Sequence, residues 1–210
     1  MRSTLDALLA STAVWRARDT VRSPTRPYID SGLPRLNGCL ADGGWPLGEL
    51  IELLQPAAGV GELQLLLPAL RALVNPSHTA PRWLAWIAPP YIPYAPALVQ
   101  GGLPLERVLW VTAQTLSDRM WAMEEALRSG SCVAVLAWLD SVELRWLRRL
   151  QLAAAHSHSL VVVFRSLLCK EQPSPASLRI VLEPTSDGLD LLIFKRRGCG
   201  PVRVCAVLQG

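Results

Sequence analysis

Two stretches, CVAVLAW at 132–138 and LVVVFRS at 160–166, constrain the fold of this chain most, because apolar residues follow one another in them without alternation. A strand with one face in water alternates apolar and polar positions, whereas a strand buried on both faces does not. Similar runs recur as GELIELL, RWLAWIA and RVLWVTA. Between them lie segments of helical character: LPRLNGCL, ELQLLLPALRALV, ALVQGG, SDRMWAMEEALRSG and VELRWLRRLQLAAAHS. This order predicts an α/β fold, a mostly parallel central sheet flanked by helices. Near the end, SLRIVLEPTSDGLDLLIFKRRG reads as two strands around the turn TSDG, followed by a strand-like VRVCAVL. That antiparallel hairpin should extend one edge. Pro68 inside ELQLLLPALRALV lacks a backbone donor and clashes one turn back, so a kink or early stop is expected there.

With 210 residues, half of them hydrophobic, the chain has the length of one domain with a real core. Gln64, Pro68 and Arg71 interrupt the longest apolar run well short of the roughly 18 residues of a membrane span. The first residues, MRSTLDALLASTAVWRARD, place Asp6 early and Arg16 and Arg18 late, unlike a secretory signal. They suggest an amphipathic helix. RDTVRSPTRPYIDSG then reads as a linker, so residues 1–29 form an arm and 30–210 the main domain. Five scattered cysteines without a Cys-x-x-Cys pair fit free thiols in a reducing cytoplasm. A formal charge of +4 is compatible with an anionic partner without requiring one.

The stretch QPAAGVGEL at 55–63 follows an expected strand and opens an expected helix, where a phosphate-binding loop would sit. Such a loop needs glycines for the backbone curl, a lysine for the β/γ charge and a hydroxyl for Mg²⁺. With Gly61 as the second glycine, Pro56 replaces the first, Glu62 the lysine and Leu63 the hydroxyl residue, leaving Gly59 and Gly61 as turn formers. A carboxylate in place of the ammonium reverses the sign of the interaction with phosphate. In the first turn of a helix, Glu62 gains about 0.3–1 kcal/mol from the dipole instead. No nucleotide or metal cofactor is expected, nor ATPase activity.

DSGLPRLNGCLADGGWPLGELIELLQP resembles the entry to a RecA-like P-loop core. Together with WIAPPYIPYAP, LRSGSCVAVLAW, LRRLQLAAA, FRSLLCKEQPSPASLRIVLEP and KRRG, it looks like the ImuA family, RecA-related accessory proteins of bacterial translesion synthesis, sometimes labelled SulA-like. The resemblance covers about residues 30–200. By that resemblance Pro90 occupies the position of the catalytic glutamate and Trp138 that of the Walker B aspartate, with Asp140 two residues beyond. Little room remains for DNA-binding loops in LDSV and SLLCKEQPSP.

Several side chains are candidates for partner or DNA contact. Arg145, Arg148 and Arg149 share one side of a helix; Arg165 and Lys170 lie at a strand end and in the loop after it. Lys195 and Arg197 sit on one face of a strand. Tyr91 and Tyr94 stand among four prolines, either as an interaction surface or packed over the sheet edge; Trp15 would anchor the N-terminal arm. His156 and His158 are spaced to diverge on a helix, and no metal or catalytic triad is indicated.

What the resemblance implies is a non-catalytic scaffold of SOS-induced mutagenesis in a bacterial cytoplasm, nucleoid-associated when recruited to damage. Its partners would be an ImuB-like Y-family protein and an alternative replicative-type DNA polymerase, with RecA as a further candidate and DNA as an indirect contact. The alternative is a SulA-like inhibitor of cell division that binds the tubulin-like division protein.

Overall fold

The computed structural model describes residues 26–74 and 82–209. Trp15 and most of the expected arm lie outside the described residues. The short strands β1 (Tyr28–Ile29) and β2 (Trp45–Pro46) form an antiparallel pair around helix α1 (Pro34–Asn37). The remaining eight strands make one sheet. In chain order they are β3 (Leu50–Gln55), β4 (Trp83–Ile87), β5 (Val108–Val111), β6 (Cys132–Trp138), β7 (Leu160–Ser166), β8 (Leu178–Thr185), β9 (Gly188–Lys195) and β10 (Val202–Gln209). Their spatial order is β10-β9-β8-β3-β7-β6-β4-β5. Strands β8, β3, β7, β6, β4 and β5 are joined by parallel ladders, while β9 pairs antiparallel with both β8 and β10.

Four more helices cover the sheet: α2 (Glu62–Leu73), α3 (Ala95–Gln100), α4 (Leu116–Arg128) and α5 (Leu144–Ser157). Leu65, Leu66, Ala69 and Leu70 of α2 pack with Leu53, Trp86, Leu136 and Val162 on one face of the sheet. Met120, Met123 and Leu127 of α4, with Leu147 and Leu150 of α5, pack on Val135 and Val161 of the other.

The expected RecA-like P-loop core is corrected by this architecture. The sheet is mixed, and the antiparallel ladder β8-β9-β10 is attached directly beside β3, the strand that feeds the turn at 56–61. A strand–turn–helix unit is local, and sequence similarity within it does not dictate the sheet assembled around it.

Pro68 neither stops nor shortens α2, which continues to Leu73. Proline in a helix costs about 3 kcal/mol, while burial of each large apolar side chain returns about 1.5–3 kcal/mol. The buried Leu65, Leu66 and Leu70 flank Pro68 and outweigh it.

One carboxylate sits in the middle of this apolar assembly. Glu52 on β3 is fully buried and accepts from Arg165 of β7 at 3.3 Å, Arg179 of β8 at 2.6 Å and the Ser174 hydroxyl at 2.6 Å. Arg179 also donates to the carbonyls of Cys169 and Lys170, and Arg165 to Gln172 Oε1 at 2.9 Å. Removing one member of a buried ion pair strands the others. Glu52→Ala should therefore lower the unfolding free energy by about 3–5 kcal/mol in urea titrations, and a loss below 1 kcal/mol would contradict the burial of both guanidiniums.

Candidate functional site

The carboxyl ends of β3, β4, β6 and β7 open into a cavity of about 250 Å³ lined by Gln55, Pro56, Pro90, Trp138, Arg165 and Arg119 among others. Five positions singled out in the sequence, Pro56, Pro90, Trp138, Asp140 and Arg165, thus meet at one place.

Its first wall is the turn after β3. Gly59 and Gly61 have φ values of 87° and 100°, in the region where a side chain would be strained. The turn is closed from within, because the Gly59 N–H donates to both Glu62 carboxylate oxygens, at 2.8 and 3.1 Å. Glu62 is only 4% exposed. The sequence placed this carboxylate at the helix start; the structure adds that it binds a backbone donor a bound anion would otherwise engage. Leu63 is partly buried against the core of the α2 face.

The floor is aromatic. Trp138 stacks on Phe164 with centroids 4.5 Å apart, and Trp86 meets Trp138 edge-on at 6.4 Å. Such pairs are worth about 0.5–1.5 kcal/mol beyond the area they bury. Trp138 at the end of β6 therefore fills the core rather than facing solvent. Polar atoms are nonetheless left without a hydrogen-bond partner here: Gln55 Oε1, Arg165 Nε and the indole nitrogens of Trp86 and Trp138. Arg119 of α4 reaches across to donate to the carbonyls of Ala113 and Trp138, at 3.1 and 3.3 Å. Nothing in its local sequence, an arginine in an amphipathic helix, announced that reach.

The rim is exposed and apolar. Tyr91, Ile92 and Tyr94, on the loop after β4, are 69%, 87% and 74% exposed, so the loop does not fold down over the sheet edge. Leu168, after β7, is equally bare.

The cationic candidates separate into different environments. Arg165 is corrected as a surface contact: its guanidinium is sealed in the core beside Glu52. Lys170 lies over the Phe194 ring at 5.9 Å. On α5, Arg145 and Arg149 are exposed but paired with Glu143 and Glu124, and both flank the Trp146 ring. Arg148 is exposed on the same helix. His156 Nδ1 lies 2.8 Å from the Leu152 carbonyl, and His158 ends α5 with a left-handed φ of 52°.

Lys195 and Arg197 belong to the opposite end of the sheet. Lys195 Nζ donates to the Ser174 carbonyl at 2.8 Å, and Arg197 pairs with Glu49 at 3.1 Å. Burial and the neighbouring Arg179 hold the Lys195 ammonium below its ordinary pKa, against the pull of Glu52. At Glu49, burial raises the pKa, but the Ser177 hydroxyl and the Arg26 and Arg197 guanidiniums outweigh it and leave the group below the usual carboxylate value.

Among the described residues, no group of three or more His, Cys, Asp or Glu side chains is arranged to hold a metal ion, and no helix is long and apolar enough to cross a membrane.

A family model described as "Cell division inhibitor SulA" matches residues 49–161. The cell division inhibitor SulA of Photorhabdus laumondii is 32% identical over 116 residues, which are 55% of this chain and 63% of that protein. Protein ImuA of Caulobacter vibrioides is 30% identical over 136 residues, 63% of this chain and 54% of that protein. The chain thus spans less than two thirds of the length of either. A crystal structure of SulA from Pseudomonas aeruginosa superposes with a TM-score of 0.45 at 30% identity, covering 55% of this chain and 97% of that one. The matched family is therefore that of SulA, not of the RecA-like P-loop ATPases, which completes the correction made from the sheet.

The turn geometry can be tested directly. A Cβ built on Gly61 would meet only ordinary contacts, Leu208 Cδ1 at 3.5 Å and Leu189 Cδ2 at 3.7 Å, so Gly61→Ala should cost only the left-handed backbone penalty of about 1–2 kcal/mol. Equilibrium unfolding would show a loss of that size; no loss would mean that the turn relaxes out of this conformation.

Proposed function

The chain belongs to the SulA family, and from that premise we propose that it acts without turnover, binding protein partners through the carboxyl edge of its sheet in the bacterial response to DNA damage. The observation that carries this reading is the exposure of Tyr91, Ile92 and Tyr94 on a loop containing Pro89, Pro90 and Pro93, with Pro96 in the first turn of α3 beyond it. Proline fixes φ, so such a loop loses little conformational freedom when a partner covers it. Aromatic side chains are frequent anchors at the centres of interfaces. The adjoining turn supports the absence of nucleotide chemistry, since Glu62 and Leu63 offer neither cation nor hydroxyl and the carboxylate already engages Gly59.

Two sets of partners suit this surface. Similarity to ImuA supports an assembly with an ImuB-like Y-family protein and an alternative replicative-type polymerase, with RecA as a further candidate. The family model and the SulA relatives support a cell-division inhibitor acting on the tubulin-like division protein. The span matched by the SulA family model, residues 49–161, contains the exposed loop.

Immobilised intact protein challenged with each partner separates them: capture of the ImuB-like protein supports the first, and capture of the division protein with filamentous cells on overexpression the second. In either case the double substitution Tyr91→Ala, Tyr94→Ala should weaken capture about thirtyfold, the loss of about 2 kcal/mol typical of an interface anchor, without lowering the melting temperature. Retained capture would remove the loop from the interface. Millimolar ATP with Mg²⁺ should leave the melting temperature unchanged; a rise would overturn the non-catalytic reading.

A further inference from the structure

At the end of the sheet opposite the aromatic loop lies a second, larger cavity of about 550 Å³, beside the amino ends of β3, β7 and β8. Its wall carries four cations, Arg26, Lys195, Arg196 and Arg197, against one carboxylate, Glu49. The chain as a whole has a formal excess of only +4, and this wall alone carries a local excess of three positive charges. Glu49 is already shared between Arg26 and Arg197 and has no further charge to offer Lys195 or Arg196.

The cations also keep unused donors. Lys195 has three ammonium hydrogens and a guanidinium five N–H groups, and in this cavity Lys195 spends one on Ser174 and Arg197 is bonded at Glu49. Tyr28, two residues beyond Arg26 on β1, is 45% exposed and stands just outside this wall; its ring lies 2.8 Å from where a Cβ on Gly44 would be, and Gly44 lines an adjoining hollow together with Arg196 and Arg197. Cations that bind a backbone beside an aromatic face on which a base can stack are the pairing that single-stranded nucleic acid requires.

We propose that this cavity binds the phosphodiester backbone of single-stranded nucleic acid, with Lys195 and Arg197 on phosphates and Tyr28 against a base. The site is independent of the partner reading above. Residues 195–197 lie beyond the span matched by the family model, which ends at residue 161, and the exposed loop is at the other end of the sheet. An acidic protein segment would answer to the same charge, but it offers no planar base to Tyr28.

The test is fluorescence anisotropy of a labelled oligothymidylate with the intact protein across a salt series. Binding should weaken with salt, and Lys195→Gln and Arg197→Gln should each reduce the log–log slope by about 0.7, the value for one phosphate contact on a single strand. Tyr28→Ala should weaken binding about fivefold or more. Arg197→Lys, which keeps the charge beside Glu49, should retain the slope and control for loss of fold. Arg145→Gln on α5 should leave affinity and slope unchanged. Absence of binding at low salt, equal weakening by Arg145→Gln, or binding of polyglutamate without binding of the oligonucleotide would each overturn the proposal.

Discussion

Glu52 is the point on which the central sheet is aligned. Its strand lies between β7 and β8, and its carboxylate binds an arginine from each. A buried ion pair gives little net stability compared with an apolar replacement, but it is costly to separate. A slip of one residue in either ladder would turn a guanidinium to the opposite face and leave it unpaired in the core. The same arginines hold Cys169 and Lys170 by their carbonyls and Gln172 by its side chain, and Glu52 itself accepts from the Ser174 hydroxyl. The connection between the parallel strands and the antiparallel end is thereby fixed to β3.

The two ends of the sheet differ in chemistry. At the carboxyl end, a carboxylate closes the turn, indole rings fill the floor, and the exposed rim is apolar. At the amino end, cations outnumber carboxylates along the cavity wall, and Tyr28 on the neighbouring β1 is exposed. A surface that is apolar at one pole and cationic at the other can hold two unlike partners together without either competing for the other's contacts. That arrangement suits a protein whose contribution is assembly.

Much of the sheet was readable in advance because burial on both faces leaves a compositional trace. CVAVLAW and LVVVFRS became β6 and β7, and the turn TSDG separated β8 from β9. The two-residue strands β1 and β2 carried no such trace. Glu52 within GELIELL was a visible anomaly, since a carboxylate in an unalternating run needs buried partners. Those partners are 113 and 127 residues away, beyond any local pattern, and Arg165 consequently read as a surface group. At the candidate site, the sequence placed Glu62 in the first turn of a helix but did not show that its carboxylate would accept from the Gly59 N–H and occupy the turn. Trp138 was recognisable as the last residue of the apolar run CVAVLAW, whereas its stacking on Phe164 depended on strand order. The RecA-like assignment failed for a related reason: it extended a local strand–turn–helix likeness to strands whose arrangement that likeness does not determine.

Gly32 and Pro68 form a pair that neither residue reveals alone. Gly32 has a φ of +74°, and a Cβ there would lie 2.3 Å from Pro68 Cβ. The proline that deprives α2 of a hydrogen bond is therefore also the ring against which the backbone before α1 is pressed. These positions should drift together in descendants of this sequence: a bulkier residue at 32 becomes tolerable only once the ring at 68 has been lost, and the loss of the ring leaves an unfilled hollow that such a residue could occupy.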